Sequence, residues 1–385
     1  MSIWPGKNLI GLTGNIATGK SIVRRMLEYL GAFGIDADAL AHRSIAKGAP
    51  GFLQVLDSFG KSILNTEGQI DRSQLAEIVF SDRNALKRLE TIIHPLVSSA
   101  IHNLIQNTSY KTIVIEAIKL IESGLSGRCD SIWVTTAPGK LQLERLISDR
   151  GMSRSSALKR INAQPPQKEK INAANFVIYN DGIYEKTWFQ VKKALQKDTA
   201  HVSQAIASDQ PLSNSSLTVS HLNPDQTSRI VQALSILDSN RSSYLEKEIM
   251  LSFMQKSYFI ISKSNRDICI SSLKMDDFVG VIDNLHFSPN SPFDEMLTLL
   301  IQFIEAYVYK QFCEILLIQI QDQDKDFFAA FNTLGYNRMK VQELETRVQQ
   351  TIPNSFNAES ATIYAKSFNQ LDLLWNNHPL HKEKH

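Results

Sequence analysis

The stretch NLIGLTGNIATGKSIVRRML, from Asn8 to Leu27, joins an apolar run to a Gly-rich loop and then to a segment with helical spacing. Its middle fits the pattern GxxxxGK[ST], in which glycines let successive backbone N–H groups turn toward phosphate oxygens and the following helix adds its positive end. We therefore predict a phosphate-binding loop, with a chance Gly-rich turn as the alternative. The residues that we expect to bind the nucleotide are Gly14, Asn15, Ile16, Ala17, Thr18, Gly19, Lys20 and Ser21.

Two residues of this loop have a side-chain role in such a site. We expect Lys20 to lie against the β- and γ-phosphates and the Ser21 hydroxyl to bind Mg²⁺. A loop of this kind identifies the donor of a phosphoryl group but leaves the acceptor open.

The chain as a whole reads as a globular protein, with 385 residues of which 43% are hydrophobic and 21% charged. The opening MSIWPGK has no signal-peptide pattern, and no apolar run reaches the length of a membrane helix. The three cysteines (Cys129, Cys269, Cys313) show no metal-site or CxxC spacing. We expect a cytoplasmic protein with reduced thiols and no membrane partner.

Charge is distributed unevenly along the chain. Residues 1–200 contain 26 Lys+Arg against 18 Asp+Glu, whereas the remainder contains 15 against 21. A basic first half suits a small anionic ligand such as a nucleotide, with ordinary surface variation as the alternative. We expect no nucleic-acid partner.

The rhythm of the sequence predicts two α/β domains. Short β-rich runs alternate with helical patterns over residues 1–197, which predicts a P-loop domain with a parallel sheet and helical substrate-binding and lid insertions. Residues 198–216 are rich in Ser, Asp and Asn and read as a linker. Residues 217–385 then form a second domain of different element order, with a C-terminal tail in which IYAKSFNQLDLLW predicts one more helix.

Two acidic residues follow the second predicted strand, in the segment GIDADAL. Because the carboxyl ends of neighbouring parallel strands meet where a ligand binds, a carboxylate here could take a proton from an attacking hydroxyl. The alternative is that the pair caps the next helix. We favour capping for Asp36 and the functional role for Asp38.

An ordered set of motifs over residues 8–196 resembles the dephospho-CoA kinase family. The segments that carry the resemblance are GLTGNIATGKS, IDAD, FGKSILNTEGQIDRSQLAEIVFSD, LETIIHPLV, KLQLERLISDRGMSRSSALKRINAQ and NFVIYNDG. The resemblance implies transfer of the γ-phosphoryl group of ATP to the ribose 3′-hydroxyl of dephospho-CoA, the last step of coenzyme A synthesis.

The resemblance also implies roles for single residues. Asp38 corresponds to the catalytic base, and Lys20 and Arg145 to the groups that neutralise the transferring phosphoryl. Asn180 corresponds to a position near the adenine. The expected contacts to the acceptor substrate are Thr13, Asp38, Arg43, Arg72 and His94.

Some of these assignments have a plain structural alternative. Arg145 and its neighbours Arg150, Arg154 and Arg160 lie in the lid segment, where guanidinium groups suit developing phosphoryl charge and a closing lid excludes water. A solvated helix face is the alternative for all but Arg145. His94, before Pro95, is equally compatible with a helix boundary.

One segment departs from the family. Where the family usually reads PLLFE, this chain has Ile118-Lys119-Leu120-Ile121-Glu122. The substitution removes a proline and adds a lysine, so we expect the wall facing the acceptor to differ from that of the family.

Residues 217 to about 350 resemble a GNAT-type N-acetyltransferase fold, more weakly than the first half resembles its family. The segments are LTVSHLNPDQTSRIVQAL, FVGVIDNLHFSPNS and FFAAFNTLGYNRM. At the expected acyl-CoA pyrophosphate loop the chain reads SPNSPFDE (residues 288–295), with no glycine, two prolines that lack N–H groups and two acids. We predict a non-catalytic or regulatory module, with a CoA or acetyl-CoA contact as a further possibility.

Other functions stay open at this stage. The first domain fits another P-loop kinase that acts on a nucleoside, a nucleotide or another small metabolite. The whole chain also fits a bifunctional kinase and N-acetyltransferase, or a CoA-sensing scaffold in which the second domain does the work.

Overall fold

The computed structural model describes residues 4–199, 213–214, 217–238, 241, 243–289, 292–320, 325–352, 362–368, 370 and 374–375. The chain divides into two compact units, one of Met1–Glu28, Ala32–Ala205 and Leu371–His385, the other of Tyr29–Gly31 and Ile206–Gln370. Both units are α/β, which confirms the predicted fold class. Of the predicted linker 198–216, only residues 198–199 and 213–214 lie within the described residues.

The N-terminal unit is built on a parallel sheet. Its five described strands have the order β2-β3-β1-β4-β5 and are β1 Asn8–Thr13, β2 Ala32–Asp36, β3 Thr112–Glu116, β4 Ser131–Thr136 and β5 Phe176–Tyr179. All six residues of β1 are buried, as expected for a central strand covered on both faces. Glu116 pairs with Leu12 on one side and Asp36 on the other, so the carboxyl ends of three strands meet at one edge.

Helices surround this sheet. They are α1 Lys20–Tyr29, α2 Ala37–Ser44, α3 Phe52–Phe59, α4 Arg72–Ser81, α5 Arg83–Asn107, α6 Gly139–Ser148, α7 Arg154–Asn162, α8 Gln167–Asn172 and α9 Tyr184–Asp198. Several begin at side-chain caps: Asp71 accepts from the backbone N–H groups of Ser73 and Gln74 at the start of α4. Across the described residues, no helix combines the length and the apolar character that crossing a membrane requires.

The C-terminal unit contains a mixed sheet. Its eight described strands have the order β12-β13-β11-β10-β9-β8-β7-β6, and within it β10 and β11 run parallel. The strands are β6 Ser213–Asn214, β7 Leu217–Leu222, β8 Lys256–Lys263, β9 Arg266–Asp276, β10 Val279–Phe287, β11 Ile315–Ile320, β12 Asn337–Met339 and β13 Thr362–Ser367. The helices are α10 Thr227–Leu237, α11 Glu246–Ser252, α12 Phe293–Lys310, α13 Lys325–Thr333 and α14 Thr346–Thr351.

The prediction of a helix in the tail is wrong at its start. The residues Thr362–Ser367 form β13, which inserts between β11 and β12. Ile363, Tyr364 and Ala365 are all buried, because a central strand hides both faces and therefore shows no alternation of apolar and polar residues. An apolar run of this kind has the same sequence pattern as a short buried helix.

Candidate active site

The loop between β1 and α1 has the backbone that the glycine pattern predicts. Gly19 has φ +88°, and a Cβ atom there would lie 1.9 Å from Asn180 Nδ2. A Cβ atom on Gly14 would lie 2.5 Å from the carbonyl oxygen of Thr135. Ala17 also takes a left-handed conformation, with φ 57°, which is uncommon for a residue with a side chain. The loop is therefore held tightly against the ends of β4 and β5.

Lys20 is buried at the first turn of α1 and folds back over the loop. Its Nζ donates to the carbonyl oxygens of Gly14 at 3.1 Å and Asn15 at 3.3 Å. Burial lowers the pKa of the Lys20 ammonium, and the nearby carboxylates of Glu116 and Asp38 oppose this shift. A cation held in this way is placed at the centre of the loop, where it can meet a phosphate.

Arg145 and Asn180 lie together on the loop. Arg145, on α6, donates from Nη1 to the carbonyl oxygen of Ala17 at 3.1 Å and from Nη2 to Asn180 Oδ1 at 3.2 Å. Asn180, just after β5, donates from Nδ2 to the carbonyl oxygen of Thr18 at 3.1 Å. Partial burial lowers the pKa of Arg145, but guanidinium groups in proteins stay protonated at neutral pH, so the side chain keeps its charge. Two predicted site residues thus contact each other and the loop.

Two glutamines of the lid segment hold the other side of the loop, and the sequence reasoning missed them. Gln164 Oε1 accepts from the backbone N–H of Ile16 at 2.7 Å, and Gln167 Oε1 accepts from that of Asn15 at 2.9 Å. Gln167 Nε2 also donates to the carbonyl oxygen of Thr135 at 2.8 Å. The segment between α7 and α8 is therefore fastened to the start of the phosphate loop.

Glu116 is a third residue that sequence reasoning missed. It lies at the carboxyl end of β3, where its carboxylate accepts from Ser21 Oγ at 2.8 Å and from Arg24 Nε at 2.7 Å. Arg24 is further paired with Glu28 at 2.7 Å. A signal existed, since a buried strand that ends in an acid beside a phosphate loop is a known way to place oxygen ligands for Mg²⁺.

Asp36 ends β2 and Asp38 follows in the first turn of α2, and the structure confirms the predicted role of the first. Asp36 caps α2, because its Oδ1 accepts from the backbone N–H of Ala39 at 2.9 Å, and this confirms the capping interpretation. Asp38 lies in the first turn of α2 with an exposed side chain, and its Oδ2 accepts from the backbone N–H of Ile118 at 3.3 Å. The surrounding protein restricts hydration of this carboxyl and Asp36 repels its charge, so the pKa of Asp38 lies above its ordinary value.

A cleft of about 470 Å³ opens beside Asp38, which we call the α2–α5 cleft. It is lined by the start of α2, the middle of α5 and the turn after β3. The charged or titratable side chains that line it are Asp38, Glu90, His94, Lys119 and Arg128. Lys119, the lysine gained in the departure from the family, pairs with Glu90 at 2.9 Å. The cleft can therefore present both cations and a carboxylate to a polar ligand.

The helix-boundary alternative for His94 is wrong. α5 runs without interruption from Arg83 to Asn107 and contains Pro95 in its interior. A proline there removes one backbone N–H, and packing against α2, α3 and α4 keeps the helix continuous nonetheless. His94 lines the α2–α5 cleft.

The other predicted acceptor contacts lie elsewhere. Thr13 is fully buried and donates from Oγ1 to the carbonyl oxygen of Ile118 at 3.1 Å. Arg43 is buried near the end of α2, and Arg72 is exposed at the first residue of α4. Neither arginine lines the α2–α5 cleft, so substrate binding by these three residues stays a prediction.

The remaining lid arginines are all exposed. Arg150, after α6, lies close enough to Lys20 for its charge to help lower the pKa of that ammonium. Arg154 and Arg160 lie on α7, and their predicted alternative of a solvated helix face agrees with their exposure.

In the C-terminal unit, the segment that we compared with an acyl-CoA loop precedes α12. Residues 290–291 lie outside the described residues, and α12 begins at Phe293 with Asp294 and Glu295 in its first turn. Acids at this position complement the positive helix end themselves and repel an added pyrophosphate.

Comparisons with known proteins match the N-terminal part of the chain. The family model of dephospho-CoA kinase matches residues 8–186. A dephospho-CoA kinase of Carboxydothermus hydrogenoformans is 43% identical over 192 residues, which cover 49% of this chain and 93% of that protein. The solved dephospho-CoA kinase of Campylobacter jejuni is 29% identical with a TM-score of 0.39, covering 51% of this chain and 98% of that one.

A solved acetyltransferase structure aligns with the C-terminal part of the chain. The ribosomal-protein-S18-alanine N-acetyltransferase of Escherichia coli is 13% identical with a TM-score of 0.31, covering 39% of this chain and 93% of that one.

Proposed function

The chain belongs to the dephospho-CoA kinase family, and from this premise we propose how its own residues transfer the γ-phosphoryl group of ATP to the ribose 3′-hydroxyl of dephospho-CoA. One observation carries the proposal. Lys20, the Arg145–Asn180 pair and Asp38 converge on one end of the sheet, and the α2–α5 cleft opens beside Asp38.

The phosphate loop, together with Arg145 and Asn180, binds the donor. Backbone N–H groups of the loop, apart from those of Asn15 and Ile16 that donate to the two glutamines, bind the phosphates. Lys20 contributes a positive charge at the β- and γ-phosphates. Arg145 lies against the same loop and stabilises negative charge that builds on the transferring group. Asn180 fixes both the loop and Arg145, which limits the reorganisation needed during transfer.

Asp38 acts on the acceptor. As the ribose 3′-oxygen attacks the γ-phosphorus, its proton passes to the Asp38 carboxylate, and the bond from phosphorus to the β–γ bridging oxygen breaks to release ADP. A raised pKa suits this role because the carboxylate is then a stronger base, provided that the working pH is above that pKa. Catalysis consists mainly of positioning and charge stabilisation.

The oxygen-rich end of β3 fits Mg²⁺. Ser21 Oγ and the Glu116 carboxylate are in contact, and hard cations of this kind prefer oxygen ligands while often keeping phosphate oxygens and waters as the rest. We propose that these two residues hold the ion, which when bound neutralises phosphate charge. Over the described ranges, no group of three or more His, Cys, Asp or Glu side chains is placed to hold a metal by itself.

For the whole protein we propose a cytoplasmic location and a non-catalytic or regulatory C-terminal unit. The first rests on the free cysteines, of which Cys269 and Cys313 are buried as small apolar residues. The second rests on Asp294 and Glu295 at the start of α12, where an anion-binding helix end would need uncharged or basic neighbours.

The test compares CoA formation by wild type, Lys20→Met and Asp38→Asn, followed by mass spectrometry of the products. We expect both variants to fold and to lose turnover, with Lys20→Met also weakening ATP binding. Formation of CoA at the wild-type rate by either variant contradicts that residue's role. Preferential phosphorylation of a nucleoside monophosphate by wild type would favour the alternative of a nucleotide kinase.

A further inference from the structure

The turn after β3 connects the two halves of the proposed site through the backbone of a single residue, Ile118. The carbonyl oxygen of Ile118 accepts from Thr13 Oγ1 at 3.1 Å and from the buried ammonium of Lys170 on α8. The N–H of the same residue donates to Asp38 Oδ2 at 3.3 Å. Strand β1, the lid-side helix α8 and the first turn of α2 therefore meet at this residue.

The contact exists because residue 118 is not a proline. Proline has no backbone N–H, and the family usually carries proline at this place in the motif that reads Ile118-Lys119-Leu120-Ile121-Glu122 in this chain. With isoleucine, the turn gains a donor that points at the carboxylate.

We propose that the Ile118 N–H is a positioning group for the Asp38 carboxylate: it holds one oxygen and so fixes the orientation of the other toward the acceptor hydroxyl. The proposal rests on the proposed role of Asp38 as the base. Ile118 itself touches no reacting atom.

Contacts on the two neighbouring peptides restrain this donor. Lys170 is almost fully buried and is also paired with Glu122 at 3.4 Å, so its ammonium is fixed at both partners. Thr13 is fully buried at the end of β1. The N–H of Ile118 belongs to the preceding peptide, between Ala117 and Ile118. On the other side of that peptide, the N–H of Ala117 donates to the carbonyl oxygen of Leu12 at 3.0 Å, so the Ile118 N–H lies between two restrained peptides.

The N–H also acts on the protonation of the base. A donor to a carboxylate favours the ionised form, and here it opposes the upward shift that restricted hydration and Asp36 cause in the pKa of Asp38. Other charged groups face the same carboxylate from the packed elements and the cleft. They are Lys20 on α1, Asp36 at the end of β2, Glu116 on β3, Glu90 and His94 on α5, and Lys119 and Arg128 in the turn region.

The test replaces the residue in two ways. Ile118→Pro removes the N–H, whereas Ile118→Ala shortens the side chain and keeps it. For Ile118→Pro we expect the ratio of acidic to alkaline kcat/KM to fall roughly three- to tenfold below the wild-type ratio. The reason is that the ionised form of the base loses one hydrogen bond. Ile118→Ala should keep the wild-type ratio of acidic to alkaline kcat/KM.

Equal pH profiles for Ile118→Pro and Ile118→Ala would overturn the proposal, whatever their absolute rates. A role for Ile118 in packing alone predicts this outcome, because both variants lose the branched isoleucine side chain. Asp38→Asn separates the two levels of the argument. If that variant keeps full turnover, the proposed base is wrong; if it is inactive while the two Ile118 variants match, only the positioning role is wrong.

A spectroscopic measurement keeps the proposal testable if Ile118→Pro does not fold. Full-length protein labelled with carbonyl-¹³C alanine and ¹⁵N isoleucine gives signals from the Ala-Ile pairs at 100–101, 117–118 and 205–206. Loss of one signal in Ile118→Val assigns the amide of interest. We expect the chemical shift of this amide to change as Asp38 is protonated in acidic buffer in wild type, and this change to be absent in Asp38→Asn. An identical pH dependence of the shift in both proteins contradicts the contact.

Discussion

Substitution of Glu116 tests the charge network under the phosphate loop. The carboxylate is almost fully buried and accepts two hydrogen bonds, from Ser21 and from Arg24. Hydrogen bonds to charged groups contribute about 1.5–3 kcal/mol each, and the part-exposed Arg24 regains some hydration, so Glu116→Ala should lower the free energy of unfolding by about 3–4 kcal/mol. Glu116→Gln keeps an acceptor and most of the volume, and we expect a loss of about 1–2 kcal/mol.

Activity should respond more strongly than stability. Glutamine keeps an acceptor for Ser21 but carries no charge, so the proposed Mg²⁺ site loses its anionic ligand and kcat should fall by roughly 100-fold or more in Glu116→Gln. Glu28→Gln is the matched control, because Glu28 pairs with the same Arg24 at 2.7 Å whereas the Ser21 hydroxyl donates to Glu116. We expect that control to cost less than about 1 kcal/mol and to keep wild-type kcat.

The assay combines urea unfolding of the full chain, followed in the transition of the N-terminal unit, with steady-state formation of CoA. A double-mutant cycle with Arg24→Met should give a coupling free energy of about 1–2 kcal/mol for Glu116 and a smaller one for Glu28. Equal losses of kcat in Glu116→Gln and Glu28→Gln would refute the reasoning, since they would show that the pairing with Arg24, and not the contact to Ser21, matters for turnover.

Three further outcomes are expected. Gly19→Ala, whose Cβ would lie 1.9 Å from Asn180 Nδ2, should abolish ATP binding in calorimetry, whereas Gly139→Ala, with no atom within 4 Å of the added Cβ, should be neutral. Because the pKa of Asp38 is raised in the folded state, ionisation of this carboxyl destabilises the fold as pH rises through that pKa. Asp38→Asn should therefore have a higher Tm than wild type at neutral pH and lose that difference in acid. An equal difference in Tm at both pH values contradicts this reasoning. Arg347→Met, which removes a 2.6 Å ion pair to a buried carboxylate, should lower the unfolding free energy of the C-terminal unit by about 2–4 kcal/mol, as seen in denaturant titration.

Local sequence predicted the donor half of the site because its geometry is local. The strand, the loop and the helix of the phosphate loop follow one another within residues 8–29, and glycine positions report backbone turns directly. The caps follow the same rule, as the contact of Asp36 with the N–H of Ala39 illustrates.

The rest of the site depends on contacts between distant residues. Glu116 could be recognised as an acid that ends a buried strand, but its contact with Ser21 joins residues that are 95 positions apart. Gln164 and Gln167 are amides without a spacing pattern. Arg145 and Asn180 are 35 positions apart in the sequence. The resemblance to a family suggested each of them as a site residue, but no local pattern predicts the hydrogen bond between them. Long-range packing likewise kept α5 helical through Pro95 and made β13 a strand.

The most direct measurement of the central claim is the choice of acceptor by the purified full-length protein. With ATP and Mg²⁺ present, dephospho-CoA, AMP and adenosine are offered separately, and each product is identified by mass spectrometry. The account predicts that dephospho-CoA is converted to CoA with a kcat/KM well above that of the other acceptors, and that Asp38→Asn abolishes this conversion. A preference for AMP or adenosine, or CoA formation that survives in Asp38→Asn, would contradict it.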